Sequence, residues 1–316
     1  MVVERSRREC VLCGASFIGR RFLCDRCSAR YRRERPSRTQ RRRFYEAVDR
    51  LYPAWANTYG AYNPPLALLR VLERCPRTVR ILELGCGGGA LLRELAARGF
   101  MRLVGLDLAS TALIEACRRL TPAGLVLGDA ERLPFRDGSF DVVLAADLIE
   151  HVDDLDAHVA EVARVLRPGG WYLVKTPNRP LAELYYRLVG LDDYPFWHPS
   201  LLSARELASL FQRHGFSVRF VAQPRLTPAQ LRKVPWRPLR ALFERVPVGY
   251  LPVWLRPHLE AVAVRSERHG HRDGTGVLVQ LDCRCGTACD EHPRGLGRGC
   301  SSGRLVFEAR RGRGGP

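Results

Sequence analysis

Long apolar runs are missing from this 316-residue sequence. No stretch of eighteen apolar residues occurs, and Met1-Val2-Val3-Glu4-Arg5 lacks the apolar core of a secretory leader. The chain therefore reads as a soluble, cytoplasmic protein without a transmembrane segment. Internal repeats are missing as well, which excludes solenoids and propellers. Lysine is nearly absent: of 51 basic residues only Lys175 and Lys233 are lysine, so the abundance of arginine carries no guanidinium-specific message. Hydrophobic residues at 46% and charged residues at 27% exclude wholesale disorder and fibrous classes.

The formal charge of +18 is unevenly spread. Residues 1–43 hold 14 Arg against 4 acids, whereas residues 79–225 hold 17 basic and 18 acidic residues. The middle is neutral and the ends are basic. Eleven cysteines also divide, four within residues 10–27, four within 283–300, and Cys75, Cys86 and Cys117 between. In a reducing compartment such clusters point to metal before disulfide.

Five parts follow: a basic, zinc-ribbon-like head with four cysteines (1–43), a helical approach (44–78), a β/α alternating block (79–225), a Pro/Trp-rich segment with linker (226–270), and a Cys-containing basic tail (271–316). In the block, short apolar runs at Val79–Leu84, Leu103–Leu106, Leu125–Leu127, Phe140–Ala145, Trp171–Lys175 and Phe216–Val221 read as strands. Helix-period segments at Ala90–Arg98, Thr111–Leu120, Leu155–Leu166 and Ala204–His214 alternate with them. That is the pattern of a doubly wound, Rossmann-like α/β sheet covered on both faces.

Gly85-Cys86-Gly87-Gly88-Gly89 follows a strand and opens a helix, where glycines let the backbone approach a ligand and a helix N-terminus offers free N–H groups. Asp107 closes the next strand, 22 residues after Gly85, placed to accept hydrogen bonds from ribose hydroxyls. Together they indicate an adenosine-type cofactor and leave nicotinamide and S-adenosylmethionine (SAM) open.

Four further segments bear on that choice: Gly128-Asp129-Ala130-Glu131-Arg132-Leu133-Pro134-Phe135, Asp137-Gly138-Ser139-Phe140-Asp141-Val142-Val143, Ile149-Glu150-His151-Val152, and Arg164-Val165-Leu166-Arg167-Pro168-Gly169-Gly170. In order and spacing they resemble the motifs of class I SAM-dependent methyltransferases, most of all the branch with the ubiquinone and menaquinone methyltransferases, over about residues 60 to 225. The resemblance implies that Glu83, Gly85 and Gly87 surround the methionine part of SAM and that Asp107 holds the ribose. It further implies that Leu108 packs on the adenine, Asp129 and Ala130 reach the adenine edge, and Ala146 lines the floor near the sulfonium. Cys86 reads as packing.

Methyl transfer from a sulfonium needs alignment and exclusion of water rather than a covalent enzyme intermediate. A base near the methyl would help an acidic acceptor, and His151, just beyond the fourth strand, is the candidate, with Glu150 beside it. His198, in Tyr194-Pro195-Phe196-Trp197-His198-Pro199, matches a loop histidine common in this branch, so the aromatic loop is expected to line the acceptor pocket. Asn63-Pro64-Pro65-Leu66 resembles the motif with which amino-methyltransferases hold a flipped base, but it lacks the stacking aromatic and precedes the glycine loop. It reads as a helix start.

Cys10-x2-Cys13 and Cys24-x2-Cys27 form two knuckle-like pairs suited to one structural zinc. Cys283, Cys285, Cys289 and Cys300 are irregularly spaced and leave a second zinc open. The neutral core and the small-molecule form of the motifs favour a small or lipid-like acceptor. The alternatives are an rRNA or tRNA methyltransferase gripping nucleic acid through the basic head, and a non-enzymatic zinc-bearing scaffold. From the charge partition alone, removal of residues 1–43 is expected to leave SAM binding by the core intact.

Overall fold

A computed structural model describes residues 6–19, 21–31, 34, 36–51, 63–119, 124–222, 225–227, 230–231, 237–245 and 248–266. The tail cysteines Cys283, Cys285, Cys289 and Cys300 lie outside the described residues, as do Arg32, Arg33 and Arg35 of the head. A two-stranded antiparallel hairpin, β1 (Ser6–Glu9) and β2 (Ser16–Gly19), precedes helices α1 (Asp25–Tyr31), α2 (Arg38–Leu51) and α3 (Leu66–Leu72). The block then alternates β3 (Arg80–Leu84), α4 (Ala90–Ala97), β4 (Arg102–Asp107), α5 (Ser110–Arg119), β5 (Gly124–Leu127), β6 (Phe140–Ala146), α6 (Leu155–Val165) and β7 (Leu166–Pro177). After it come α7 (Arg179–Val189), the single turn α8 (Tyr194–Trp197), α9 (Ala204–Arg213), β8 (Phe216–Val221), α10 (Arg237–Arg245) and β9 (His258–Arg265).

The expected strands and helices of the block are present, with ends displaced by a residue or two. The exception is β7, which starts five residues before the expected Trp171. Seven strands make one sheet in the order β5-β4-β3-β6-β7-β9-β8. Neighbours from β5 to β7 are parallel, while β9 runs antiparallel between β7 and β8. The α/β Rossmann-like class therefore holds, and the sheet is mixed. It also extends to Arg265, well past residue 225. The strand at His258–Arg265 went unread because it follows a proline-dense stretch that argues against regular structure. Its Leu259, Ala261, Val262 and Ala263 are buried on both faces of the sheet, so no polar alternation marks it.

Apolar helix stripes cover both faces. Val159, Val162 and Val165 of α6 pack with Leu207, Leu210 and Phe211 of α9 on one side. Leu68, Leu69 and Leu72 of α3 pack with Leu91, Leu92 and Leu95 of α4 on the other. A third apolar cluster joins Cys10, Phe22, Leu23 and Phe44 of the N-terminal region to Tyr186, Phe196 and Trp197. The amino end is thus docked on the segment that follows β7.

One buried acid of β9 ties α3 to the sheet. Glu260 accepts hydrogen bonds from the Ala67 and Leu68 N–H groups, both 3.1 Å away, at the start of α3. Pro65 caps that helix, so Asn63-Pro64-Pro65-Leu66 is indeed a helix start. Burial pushes the Glu260 carboxyl from its usual 4.5 up to about 7, against the pull of Lys175 and the two N–H donors. The folded state thus holds this proton more tightly than the unfolded one. The associated stability is fully present below pH 4.5 and is lost as pH rises through about 7. Glu260→Gln removes the titration, so the fall in Tm between pH 5 and pH 8 should be shallower than in wild type. Equal slopes in a thermal melt series would show that Glu260 does not carry this dependence.

Candidate active site

In the parallel part of the sheet the strands end at one level. Glu83 and Leu84 stand beside Gly105 and Leu106 on one flank and beside Leu144 and Ala145 on the other. The order reverses at β3, since β4 lies to one side and β6 to the other, and that switch opens a crevice at the carboxyl ends. A cavity of about 190 Å³ lies there, and its walls include Gly85, Asp107, Leu108, Asp129 and Ala130. Five of the eight expected cofactor residues therefore meet in one place.

The glycine turn is shaped by positive φ at Gly85 (68°), Gly87 (49°) and Gly89 (74°). A Cβ on Gly85 would lie 2.9 Å from Leu148 Cδ1, whereas one on Gly87 would meet nothing within 4 Å. Asp107 locks the turn: its Oδ2 accepts from the Gly87 N–H at 2.8 Å and its Oδ1 from the Ala109 N–H at 2.9 Å. Cys86 is buried and its Sγ lies 2.8 Å from where a Gly105 Cβ would sit, the packing role expected of it. Burial lifts its thiol well above the usual range, which suits an inert residue.

Glu83 is buried beneath the turn, and its Oε2 has no hydrogen-bond partner among the described residues. Burial, and then the facing Asp107, hold its carboxyl well above the usual range. Asp107 is itself raised by burial, despite its backbone donors. An orphaned buried carboxylate oxygen beside a second carboxylate has the chemistry to receive a cationic ligand. The residues present therefore fit the amino-acid and ribose ends of SAM. Ala146 packs into the core rather than lining the cavity, and the next residue, Asp147, lines it instead.

Asp147 has φ of 56°, a left-handed conformation that costs a non-glycine residue roughly 1 kcal/mol or more. Fully buried Lys175 holds it there, donating from Nζ to Asp147 Oδ2 at 2.7 Å and to the Asn63 carbonyl at 3.0 Å. Beside them Glu150 accepts from Thr176 Oγ1 at 2.9 Å. Burial and the charge of Asp147 push the Glu150 carboxyl up to about 8.

His151 also lines the cavity. Its Nδ1 is 2.6 Å from the Trp197 carbonyl and 2.9 Å from the Tyr45 hydroxyl. A carbonyl can only accept, so Nδ1 carries the proton and Nε2 keeps the lone pair. Burial pushes His151 down to about 4, so the ring is neutral near neutral pH. The His198 ring centroid is 4.5 Å away, and His198 Nδ1 is 2.9 Å from the Tyr186 hydroxyl. Glu150, His151 and His198 bring ligand-type atoms within 4.8 Å of one another, a spacing that could accommodate a cation.

Arg41 and Tyr45 of α2 line the same cavity. Sequence reasoning missed them because nothing in the chain signals that the helix after the cysteine head folds back over a crevice more than a hundred residues downstream. From sequence, Arg41-Arg42-Arg43 reads either as a solvated helix face or as a polyanion-binding arm. Arg41 is buried instead, donating from Nε to Asp153 Oδ2 at 2.7 Å and from a terminal nitrogen to the Phe196 carbonyl at 2.8 Å. Arg21 pairs with Asp25 and Asp192, Arg30 with Glu34, and Arg42 with Glu46. Removal of residues 1–43, expected from the charge partition to leave SAM binding intact, would take Arg41 out of the cavity wall.

In the head, the sulfurs of Cys10, Cys13, Cys24 and Cys27 lie within 4.8 Å of one another, with Cys13 and Cys24 at 3.6 Å. A tetrahedral zinc with bonds of about 2.3 Å would hold sulfurs about 3.8 Å apart. Burial and the neighbouring thiols raise the Cys27 thiol far above its usual range, so four thiolates need a cation between them.

Residues 82–174 match the family model described as a methyltransferase domain. The chain is 33% identical over 177 residues to a ubiquinone biosynthesis O-methyltransferase of Mesorhizobium japonicum, covering 49% of this chain and 70% of that one. A protein of the same description from Xylella fastidiosa is 26% identical over 242 residues, covering 71% of this chain and 95% of that one. Among solved structures, a complex between the Haloferax volcanii Trm112 methyltransferase activator and its methyltransferase partner matches with a TM-score of 0.54. It is 22% identical, over 71% of this chain and all of that one, a likeness of fold.

Gly85→Ala places a Cβ at positive φ against Leu148, which lines the cavity. It should lower Tm by several degrees, from roughly 1–3 kcal/mol of overpacking and strain, and weaken binding of S-adenosylhomocysteine at least tenfold. Calorimetry and thermal melts check both, and wild-type affinity would remove Gly85 from the site.

Proposed function

The chain belongs to the class I SAM-dependent methyltransferases, in the branch of the ubiquinone biosynthesis O-methyltransferases, and from that premise we propose that it methylates a small or lipid-like acceptor at the cavity described above. One observation carries the reading: a single crevice joins the glycine turn, the ribose-height carboxylate Asp107 and a histidine whose basic nitrogen is left bare. Glu83 would receive the ammonium of SAM, Asp107 the ribose hydroxyls, and Leu108, Asp129 and Ala130 the adenine. When bound, SAM supplies an electrophilic methyl on a sulfonium, and transfer by in-line displacement asks the protein only to align and dry the two partners.

The chain's own groups suit that task. Asp107, Asp129, Glu131, Asp147 and Asp153 line the pocket against the single cation Arg41, and this acidic lining favours a sulfonium over a neutral ligand. His151 Nε2 is positioned to take a proton from an acceptor hydroxyl, with Trp197 and Tyr45 holding the ring. The aromatic segment 194–198, expected to line the acceptor pocket, instead packs Phe196 and Trp197 against the head, while its His198 stands against His151 behind the cavity wall. The four head cysteines would hold one structural zinc. A phosphate chain is less well served, because the catalytic block is neutral and the head arginines described above already face carboxylates.

Asp107→Ala should weaken S-adenosylhomocysteine binding at least tenfold by calorimetry, since it removes both the ribose acceptor and the lock on the glycine turn. Equal affinity in wild type and variant would contradict the ribose assignment, and a preference for NAD would overturn the cofactor. Metal analysis of the Cys10→Ser plus Cys13→Ser variant should show one zinc fewer per chain than wild type. Unchanged content would mean that these cysteines are not ligands.

A further inference from the structure

The cysteine head touches a segment 170 to 175 residues away in sequence, and each touch bears on the pocket. The Phe22 and Leu23 N–H groups, just before Cys24, donate to Asp193 Oδ2 at 2.8 and 3.2 Å. Burial raises the Asp193 carboxyl even with those donors, so it is tied to the head and little solvated. Asp193 opens the turn Tyr194–Trp197, and Trp197 supplies the carbonyl that orients His151. The Phe22 ring lies edge-on to Phe44 at 5.7 Å and to Trp197 at 6.2 Å. The metal-ligand turn and the histidine are therefore joined by four residues in unbroken contact.

The second connection runs through α2. Its Phe44, Ala47 and Val48 are buried against the head and the aromatic segment. Arg41 and Tyr45, four residues apart and so on one adjacent face, reach into the cavity. Arg41 bridges Asp153 on the cavity wall and the Phe196 carbonyl, while Tyr45 meets His151. A helix that packs on the cysteine centre with one face and walls the pocket with the next cannot move on one side alone.

We propose that Arg41 and Tyr45 complete the methyl-donor pocket from the appended head, and that metal occupancy of the four-cysteine centre thereby sets how tightly the pocket holds its cofactor. Arg41 closes the wall at Asp153. Tyr45 is a positioning residue that covers the His151 Nδ1–H, whose tautomer the Trp197 carbonyl sets. The inference rests on the readings of Cys10, Cys13, Cys24 and Cys27 as zinc ligands and of the cavity as the SAM site. It adds a dependence that neither requires.

The test measures zinc content, thermal melting and S-adenosylhomocysteine affinity on the same full-length preparations. Stripping zinc with a chelator should weaken affinity at least tenfold, and refilling with zinc should restore it. Because stripping can also unfold the chain, Asp193→Ala provides a second arm: it leaves all four cysteines in place, should keep its zinc, and should still lose at least fivefold in affinity. Arg41→Ala should lose a similar factor with zinc intact, and Ile18→Ser, on the exposed face of the hairpin, should match wild type within twofold. In Tyr45→Phe the His151 Nδ1–H should exchange with solvent at least tenfold faster by NMR, a change that packing alone would not produce. Affinity within twofold of wild type in both the stripped protein and Asp193→Ala overturns the coupling while leaving the zinc and SAM readings intact. A wild type without zinc overturns it together with the zinc reading, and one that does not bind S-adenosylhomocysteine overturns it together with the cofactor reading.

Discussion

The carboxylate of Asp107 is the interaction on which the site depends. It stands at the end of β4, one strand from the turn it controls, and it commits one oxygen to the Gly87 N–H and the other to the Ala109 N–H. Register between β3 and β4 brings it within reach: Glu83 pairs with Gly105 and Leu84 with Leu106, so the glycine turn and the acid emerge side by side. Gly105 itself must lack a side chain, because a Cβ there would lie 2.6 Å from Leu92 and 2.8 Å from the Cys86 sulfur. Turn, acid and helix start are one object, fixed by parallel pairing and by the space that a missing Cβ leaves.

Around that object the protein buries more charge than stability alone would recommend. Glu83, Glu150 and Glu260 all have raised carboxyl pKa values, and burial is the first cause in each case. Lys175 is the single buried ammonium among them in the described residues, and it directs its hydrogen bonds to Asp147 and the Asn63 carbonyl. Acids held in this way destabilise the fold. Of the three, Glu83 has an oxygen without a hydrogen-bond partner among the described residues, and there a cationic ligand would offset the penalty, whereas Glu260 is tied to the start of α3.

Much of this could be read from the residues. The strands and helices of the block announce themselves by period, and Gly85, Gly87 and Asp107 by their place at strand ends. The four cysteines announce themselves by spacing, and in the fold their sulfurs converge. What stayed hidden was long-range. Leu259 to Ala263 look like any short apolar run after a proline stretch, and only pairing with β7 and β8 makes them a strand. Arg41 and Tyr45 look like two residues of a charged helix, whose arginines read as a solvated face or a polyanion-binding arm. Their partners Asp153 and His151 lie 112 and 106 residues away, a relation that neither period nor composition encodes.

The position of β9 has a consequence for the order in which the molecule is made. The strand synthesised last in the described chain lies inside the sheet, between β7 and β8, and hydrogen-bonds to both. Until residues 258–265 leave the ribosome, β7 presents a bare edge and β8 has nothing to pair with. Glu260 is likewise absent from the start of α3. A nascent chain can assemble the crevice strands β3, β4 and β6 early, through local βα units, but the far side of the sheet must wait for a contact spanning some eighty residues. During that interval Tyr172 and Val174, fully buried in the finished protein, lie on an unpaired edge strand, which makes this stage of synthesis the one most exposed to mispairing with a neighbouring chain.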